Sequence, residues 1–82
     1  MDYVALTDRL IKALVKDIDA VSVKEFPSDD ENKIEIQVLV SEDDMKRVIG
    51  RNGKTINSIR TILHAASSLH NHKYISLNIE GF

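Results

Sequence analysis

Residues 47–59 read RVIGRNGKTINSI, and the fold turns on how this stretch uses its two glycines. Gly50 and Gly53 stand three positions apart, with Arg51 and Asn52 between them and Lys54 and Thr55 directly after. Two phosphate-binding designs contain such a run. In a nucleoside-triphosphate loop, G-x-x-x-x-G-K-[ST], Gly53-Lys54-Thr55 would be the end and position 48 the first glycine. Position 48 is Val, the segment before it has helical rather than strand character, and no later aspartate is placed as a magnesium ligand at a strand end. In the second design, a turn with a glycine at each end joins two helices. A ligand backbone then approaches without Cβ clashes, and the following helix offers N–H groups and its dipole to phosphate.

The flanking segments supply those two helices. In SEDDM, Ser41 stands three residues before Asp44, an N-cap pattern with acids in the first turn, where the helix dipole favours them. A helix of about two turns is predicted from there to Ile49, ended by Gly50, which takes left-handed backbone cheaply. A second helix is predicted from Gly53 or Lys54 to about Leu69, burying Ile56, Ile59, Leu63 and Ala66, with Ile62 and Leu69 at its flank.

Further out, the periodicity changes from helix to strand. KIEIQVLV, residues 33–40, places Ile34, Ile36, Val38 and Val40 on one side and Glu35 and Gln37 on the other. YISLNIE, residues 74–80, alternates Ile75, Leu77 and Ile79 against Ser76 and Asn78. AVSVKEF, residues 20–26, is a shorter strand closed by Pro27, and the polar turn PSDDEN makes it a hairpin with the next strand. Residues 2–18 open the chain with helical spacing at Tyr3, Leu6, Leu10, Leu14 and Ile18, a stripe that packs one face on a sheet. The polar loop HNHK, which includes Asn71, precedes the last strand. The order helix, strand, strand, helix, helix, strand predicts an α+β fold. Its mixed three-stranded sheet has an antiparallel hairpin, a parallel pair joined by a helical crossover, and helices packed on one face.

Size and charge narrow the function classes. At 82 residues the expectation is one domain over residues 1–82 with one small core. The longest apolar runs are a few residues, far short of the ~18 a membrane span requires. Asp8, Arg9 and Lys12 interrupt any signal-peptide core, and there is no cysteine. A cytoplasmic protein is expected. The net charge of −2 conceals a segregation: from Met45 to Leu63 there are five basic residues, Lys46, Arg47, Arg51, Lys54 and Arg60, and no acids. Seven of the thirteen acids fall between Asp29 and Asp44. A local positive field on an acidic body is the footprint of an anionic partner.

VIGRNGKTINSI resembles the KH-domain signature V-I-G-x-x-G-x-x-I-x-x-I at Val48, Ile49, Gly50, Gly53, Ile56 and Ile59. The element order is similar to the type II KH arrangement over the whole chain, and a free-standing domain of this length resembles the small bacterial KhpA-type proteins. That resemblance implies binding of single-stranded RNA, as a post-transcriptional regulator or RNA chaperone. It also implies association as a homodimer or with a larger KH protein of the Jag family.

The residue roles then expected follow from the motif. Amides from Gly50 to Lys54 hold the sugar-phosphate chain, and Arg51 and Lys54 supply salt-dependent attraction. Asn52 donates to phosphate or sugar. Ile49, Ile56 and Ile59 form a floor for bases, although as core residues they would serve equally well, and strand residues from Ile34 to Val38 complete the groove. Lys46 and Arg47 extend the basic surface, with Arg60 a further candidate, unless helix geometry turns them away. None of the four aromatic residues, Tyr3, Phe26, Tyr74 and Phe82, interrupts the basic segment, which argues against a strand-borne stacking platform. His64, His70 and His72 lack a convergent partner for metal, and Asn71 and Lys73 are poor ligands. The acids at Asp29 to Glu31 and Glu42 to Asp44 sit on a turn and a cap rather than in a cleft that would raise a pKa. No enzyme activity, cofactor or metal is expected. The rival reading is an interaction module that pairs through the helical face from Tyr3 to Ile18 or through a sheet edge, with RNA secondary.

Overall fold

A computed structural model describes residues 2–70 and 72–82; Asn71, assigned by sequence to the loop before the last strand, lies outside them. The architecture follows from the strictest pattern in the chain. Lys33–Val40 forms a strand, β2, whose side chains alternate without exception between buried and half-buried, because Ile34, Ile36, Val38 and Val40 all point to one face. β1 (Ser22–Phe26) pairs with it antiparallel and β3 (Tyr74–Gly81) parallel, so the sheet order is β1-β2-β3. The registers Ile34 to Ile75, Ile36 to Leu77 and Val38 to Ile79, with Val23 to Val38 across the hairpin, put apolar side chains of all three strands on the same face. The helices cover that face: Tyr3 and Ile11 of α1 (Tyr3–Lys12), Val48 of α2 (Met45–Ile49), and Ile56, Ile59 and Leu63 of α3 (Lys54–His70) complete the core. The mixed α+β arrangement expected from sequence is therefore the one observed.

Several boundaries differ, for identifiable reasons. The apolar stripe predicted over residues 2–18 forms helix only to Lys12. The chain leaves the helix because the N–H groups of Lys16 and Asp17 donate to the Asp44 carboxylate, at 3.0 and 3.1 Å, instead of to carbonyls one turn back. Ile18 is consequently exposed rather than part of the stripe. The expected N-cap at Ser41 is reversed: its hydroxyl donates to Asp44 Oδ2 at 3.1 Å. The short helix is divided into a 3-10 turn at Glu42–Asp44 and one α-turn at Met45–Ile49. Asp44 is only 1% exposed and completes its set of acceptor bonds with Arg47 Nη1 at 3.1 Å. The backbone N–H groups of Lys16 and Asp17 hold its carboxyl below the ordinary carboxylate pKa, aided by Ser41 and Arg47 and opposed by burial. An acid that the sequence assigns to a solvated cap thus joins the end of α1 to the start of α2.

β3 is an edge strand, and α3 shields that edge. Arg60 Nη2 donates to Leu77 O at 3.1 Å, His64 Nε2 to Ile75 O at 3.0 Å, and Ser67 Oγ to Lys73 O. Three helix side chains, about one turn apart, meet alternate carbonyls at Leu77 and Ile75 of β3 and at Lys73 just before it. This spacing matches the 5.4 Å helix pitch to a two-residue strand repeat of about 6.6 Å. It also explains why Ser67, which the helical stripe does not single out, is buried while Ala66 is only half-buried.

Candidate nucleic-acid interface

The G-x-x-G segment is a turn of unusual backbone. Gly50 has φ 77 and ψ 176, Asn52 φ 56 and ψ 27, and Gly53 φ 75. Three of four consecutive residues therefore have positive φ. Asparagine tolerates the left-handed conformation that Asn52 adopts, whereas the φ and ψ of Gly50 lie in a region open essentially to glycine alone. Space excludes a side chain at Gly50 as well. A Cβ there would overlap Thr55 Oγ1 and stand 2.7 Å from Thr55 Cβ and 2.9 Å from Thr55 N. At Gly53 the nearest atom would be Asn57 Nδ2 at 3.7 Å, an ordinary contact. Gly50 is required by both backbone and packing, Gly53 by backbone alone.

The hydrogen bonds of the turn limit which amides a ligand can use. Gly50 N–H donates to Lys46 O at 2.9 Å, Gly53 N–H to Gly50 O at 3.3 Å, and Lys54 N–H to Arg51 O. The expected row of ligand-binding amides from Gly50 to Lys54 is thereby reduced, because three of them close the turn itself. The N–H groups of Arg51 and Asn52 take no part in these bonds. They sit at the tip with the exposed side chains of Arg51, Asn52 and Lys54. α3 begins at Lys54, so its dipole adds positive potential at the same place.

The remaining predicted residues separate into three groups. Lys46 is exposed on α2, and Ile49 is half-buried beside the turn, so both share the surface of the loop. Ile56 and Ile59 are only 5% and 4% exposed and pack in the hydrophobic core. Ile34, Ile36 and Val38 are likewise buried in the core. The spacing that makes these positions match the motif is the spacing that points them inward. Arg47 is drawn back toward the start of α2 by Asp44 and by Asp43 O at 3.2 Å, away from the loop. Arg60 is held by Leu77 O and by Asn57 Oδ1 at 3.0 Å.

The element before Gly50 is the helix Met45–Ile49, whereas a nucleoside-triphosphate loop follows a strand. The strand-loop-helix frame of a nucleoside-triphosphate loop is therefore not the one around this turn.

Comparison with known proteins gives one matching family profile and several relatives. A family profile described as KhpA/KhpB, KH domain, matches residues 5–79. The chain is 37% identical over 60 residues to the RNA-binding protein KhpA of Thermotoga maritima, covering 73% of this chain and 77% of that protein. It is 36% identical over 63 residues to the RNA-binding protein KhpA of Halalkalibacterium halodurans, covering 77% of this chain and 80% of that protein. The RNA-binding protein KhpA of Caldanaerobacter subterraneus is 39% identical over 62 residues, 76% of this chain and 80% of that protein. No solved structure matches the chain.

Proposed function

The chain belongs to the KH-domain family of KhpA and KhpB, and from that membership we propose that it is an RNA-binding protein whose Gly50-Arg51-Asn52-Gly53 turn clamps the backbone of single-stranded RNA. The observation that supports this most directly is the turn itself. It carries three positive φ angles, the side chains of Arg51, Asn52 and Lys54 are exposed, and the N–H groups of Arg51 and Asn52 are left out of the bonds that close the turn. The oxygens of a phosphate accept hydrogen bonds from donors of each of these kinds. Lys46 and Ile49 extend the contact surface along α2, with Ile49 the apolar neighbour for a base. Ile56 and Ile59 hold the turn from below. A KH unit grips about four nucleotides, so few phosphates are neutralised and binding is modest, sequence-tolerant and salt-sensitive.

Binding rather than catalysis is the task we assign, in the cytoplasm, as a post-transcriptional regulator or RNA chaperone. The whole chain acts as one domain in this reading. Pairing with a second copy, or with a larger KH protein of the Jag family, would place two weak sites on one RNA and raise the effective affinity. The α1 face is a poor candidate for that contact, since Tyr3 and Ile11 are already in the core. Ile62 and Leu69, two turns apart on α3, are 44% and 84% exposed, and this apolar pair is the surface we assign to pairing.

The test is fluorescence anisotropy with pooled short single-stranded RNAs at low and moderate salt. Wild type is compared with Arg51→Asp/Asn52→Asp after circular dichroism shows both folded. Loss of most of the binding in the variant is expected; equal binding by the two proteins would refute the clamp. Ile62→Asp is expected to abolish self-association in sedimentation experiments while leaving the fold intact.

A further inference from the structure

Beyond the motif, a three-residue relay leads from the sheet to the clamp. Leu77 O in β3 accepts from Arg60 Nη2 at 3.1 Å, and Arg60 Nη1 donates to Asn57 Oδ1 at 3.0 Å. A guanidinium carries donors only, so the atom of Asn57 that faces it must be the carbonyl oxygen. That fixes the orientation of the amide and turns its NH2 group the other way. There it meets the turn: Asn57 Nδ2 lies 3.7 Å from the position a Cβ on Gly53 would occupy. Asn57 is an exposed residue, and its NH2 group, with two uncharged N–H donors, stands beside the second glycine of the clamp in the direction that Arg60 sets.

We propose that Asn57 is a further RNA-contacting residue, donating from its NH2 group to the sugar-phosphate backbone as it passes over Gly53, and that Arg60 is the positioning residue that aims it. This rests on the clamp reading above. It reassigns Arg60: with both Nη atoms engaged by protein acceptors, the residue acts through Asn57 rather than as a cation on phosphate. The absence of a side chain at Gly53 is then useful in its own right, since it leaves the RNA backbone within reach of Asn57.

The experiment is the same anisotropy titration across a salt series, with wild type, Asn57→Ala, Asn57→Asp, Arg60→Met and Asn57→Ala/Arg60→Met, each shown folded by circular dichroism and thermal melting. Losing one hydrogen bond should weaken binding roughly three- to tenfold in Asn57→Ala and Arg60→Met. The double variant should be no weaker than either single variant, because the two residues form one unit. Asn57→Asp keeps the Arg60 contact but replaces the donors by an anion, so it should bind more weakly than Asn57→Ala. The salt slope should be unchanged in Asn57→Ala and Arg60→Met, whereas a cation on phosphate contributes about 0.7 to it. Wild-type affinity in Asn57→Ala, additive losses in the double variant, or a reduced slope in Arg60→Met would each overturn the proposal. If Arg51→Asp/Asn52→Asp also binds like wild type, the clamp itself fails; if that variant loses binding while the Asn57 variants do not, only this inference fails.

Discussion

Replacing Gly50 by alanine should be far more damaging than replacing Gly53, although the motif treats the two alike. At Gly53 an added Cβ finds open space, with its nearest neighbour at 3.7 Å, so only the positive φ of 75 opposes it. That strain is about 1–2 kcal/mol. At Gly50 the backbone lies at φ 77 and ψ 176, which for a residue with a side chain costs about 1–3 kcal/mol. The added Cβ also comes within 2.7 Å of Thr55 Cβ and 2.9 Å of Thr55 N, so the first turn of α3 must shift, adding roughly another 1–3 kcal/mol. A chain of this length has a total stability on the order of 4–12 kcal/mol. Gly50→Ala therefore removes a large share of it, and each kcal/mol lowers the melting midpoint by about 4–8 °C. Urea denaturation followed by circular dichroism measures both variants. The double variant Gly50→Ala/Thr55→Ala adds a sharper check: it removes Thr55 Oγ1 but leaves the Cβ and the backbone N in place, so recovery should be small. Equal losses in Gly50→Ala and Gly53→Ala, or full recovery in the double variant, would refute the claim that backbone approach dictates Gly50.

Three further outcomes follow from other parts of the structure. Asp44 has a lowered pKa in the folded chain, so the stability it contributes is present above the unfolded value of about 3.9 and lost as pH falls through the lower folded value. Urea midpoints measured from pH 5 down to about pH 2.5 should fall less steeply in Asp44→Asn than in wild type, and parallel curves would contradict the assignment. Leu63 is fully buried between α3 and the sheet, so Leu63→Ala should destabilise by about 2–5 kcal/mol; a loss below about 1 kcal/mol in the same assay would mean that the core collapses around the gap. Arg51→Gln and Lys54→Gln should each reduce the salt slope of RNA binding by about 0.7. Arg47→Gln, whose guanidinium is engaged by Asp44, should leave that slope unchanged, and a reduced slope there would place Arg47 on the RNA after all.

Local pattern was enough to determine the elements and their order. The alternation of Ile34, Ile36, Val38 and Val40 requires a strand with one dry face, because a two-residue repeat returns every second side chain to the same side. The glycines at 50 and 53 require a tight turn between two helices, since their backbone angles exclude other residues or strain them. Element order and apolar faces together left a mixed sheet with helices on one side as the arrangement to expect, and the sheet has that form. What sequence periodicity could not decide was which of several equivalent uses a residue is put to. Ile56 and Ile59 satisfy the motif whether they touch RNA or the core, and only the packing of α3 on the sheet turned them inward. Arg47 and Arg51 are equally basic in sequence, yet Asp44 holds Arg47 at 3.1 Å while Arg51 stands in the turn between the two glycines. Asp44 itself reads as a helix-cap acid, because its partners, the amides of Lys16 and Asp17, lie 28 and 27 residues away and no local pattern connects them. The alignment of Leu77 O, Arg60 and Asn57 likewise depends on bringing α3 against the edge of β3. Side-chain direction along one element follows from backbone periodicity, whereas hydrogen-bond partners are fixed only when distant elements dock.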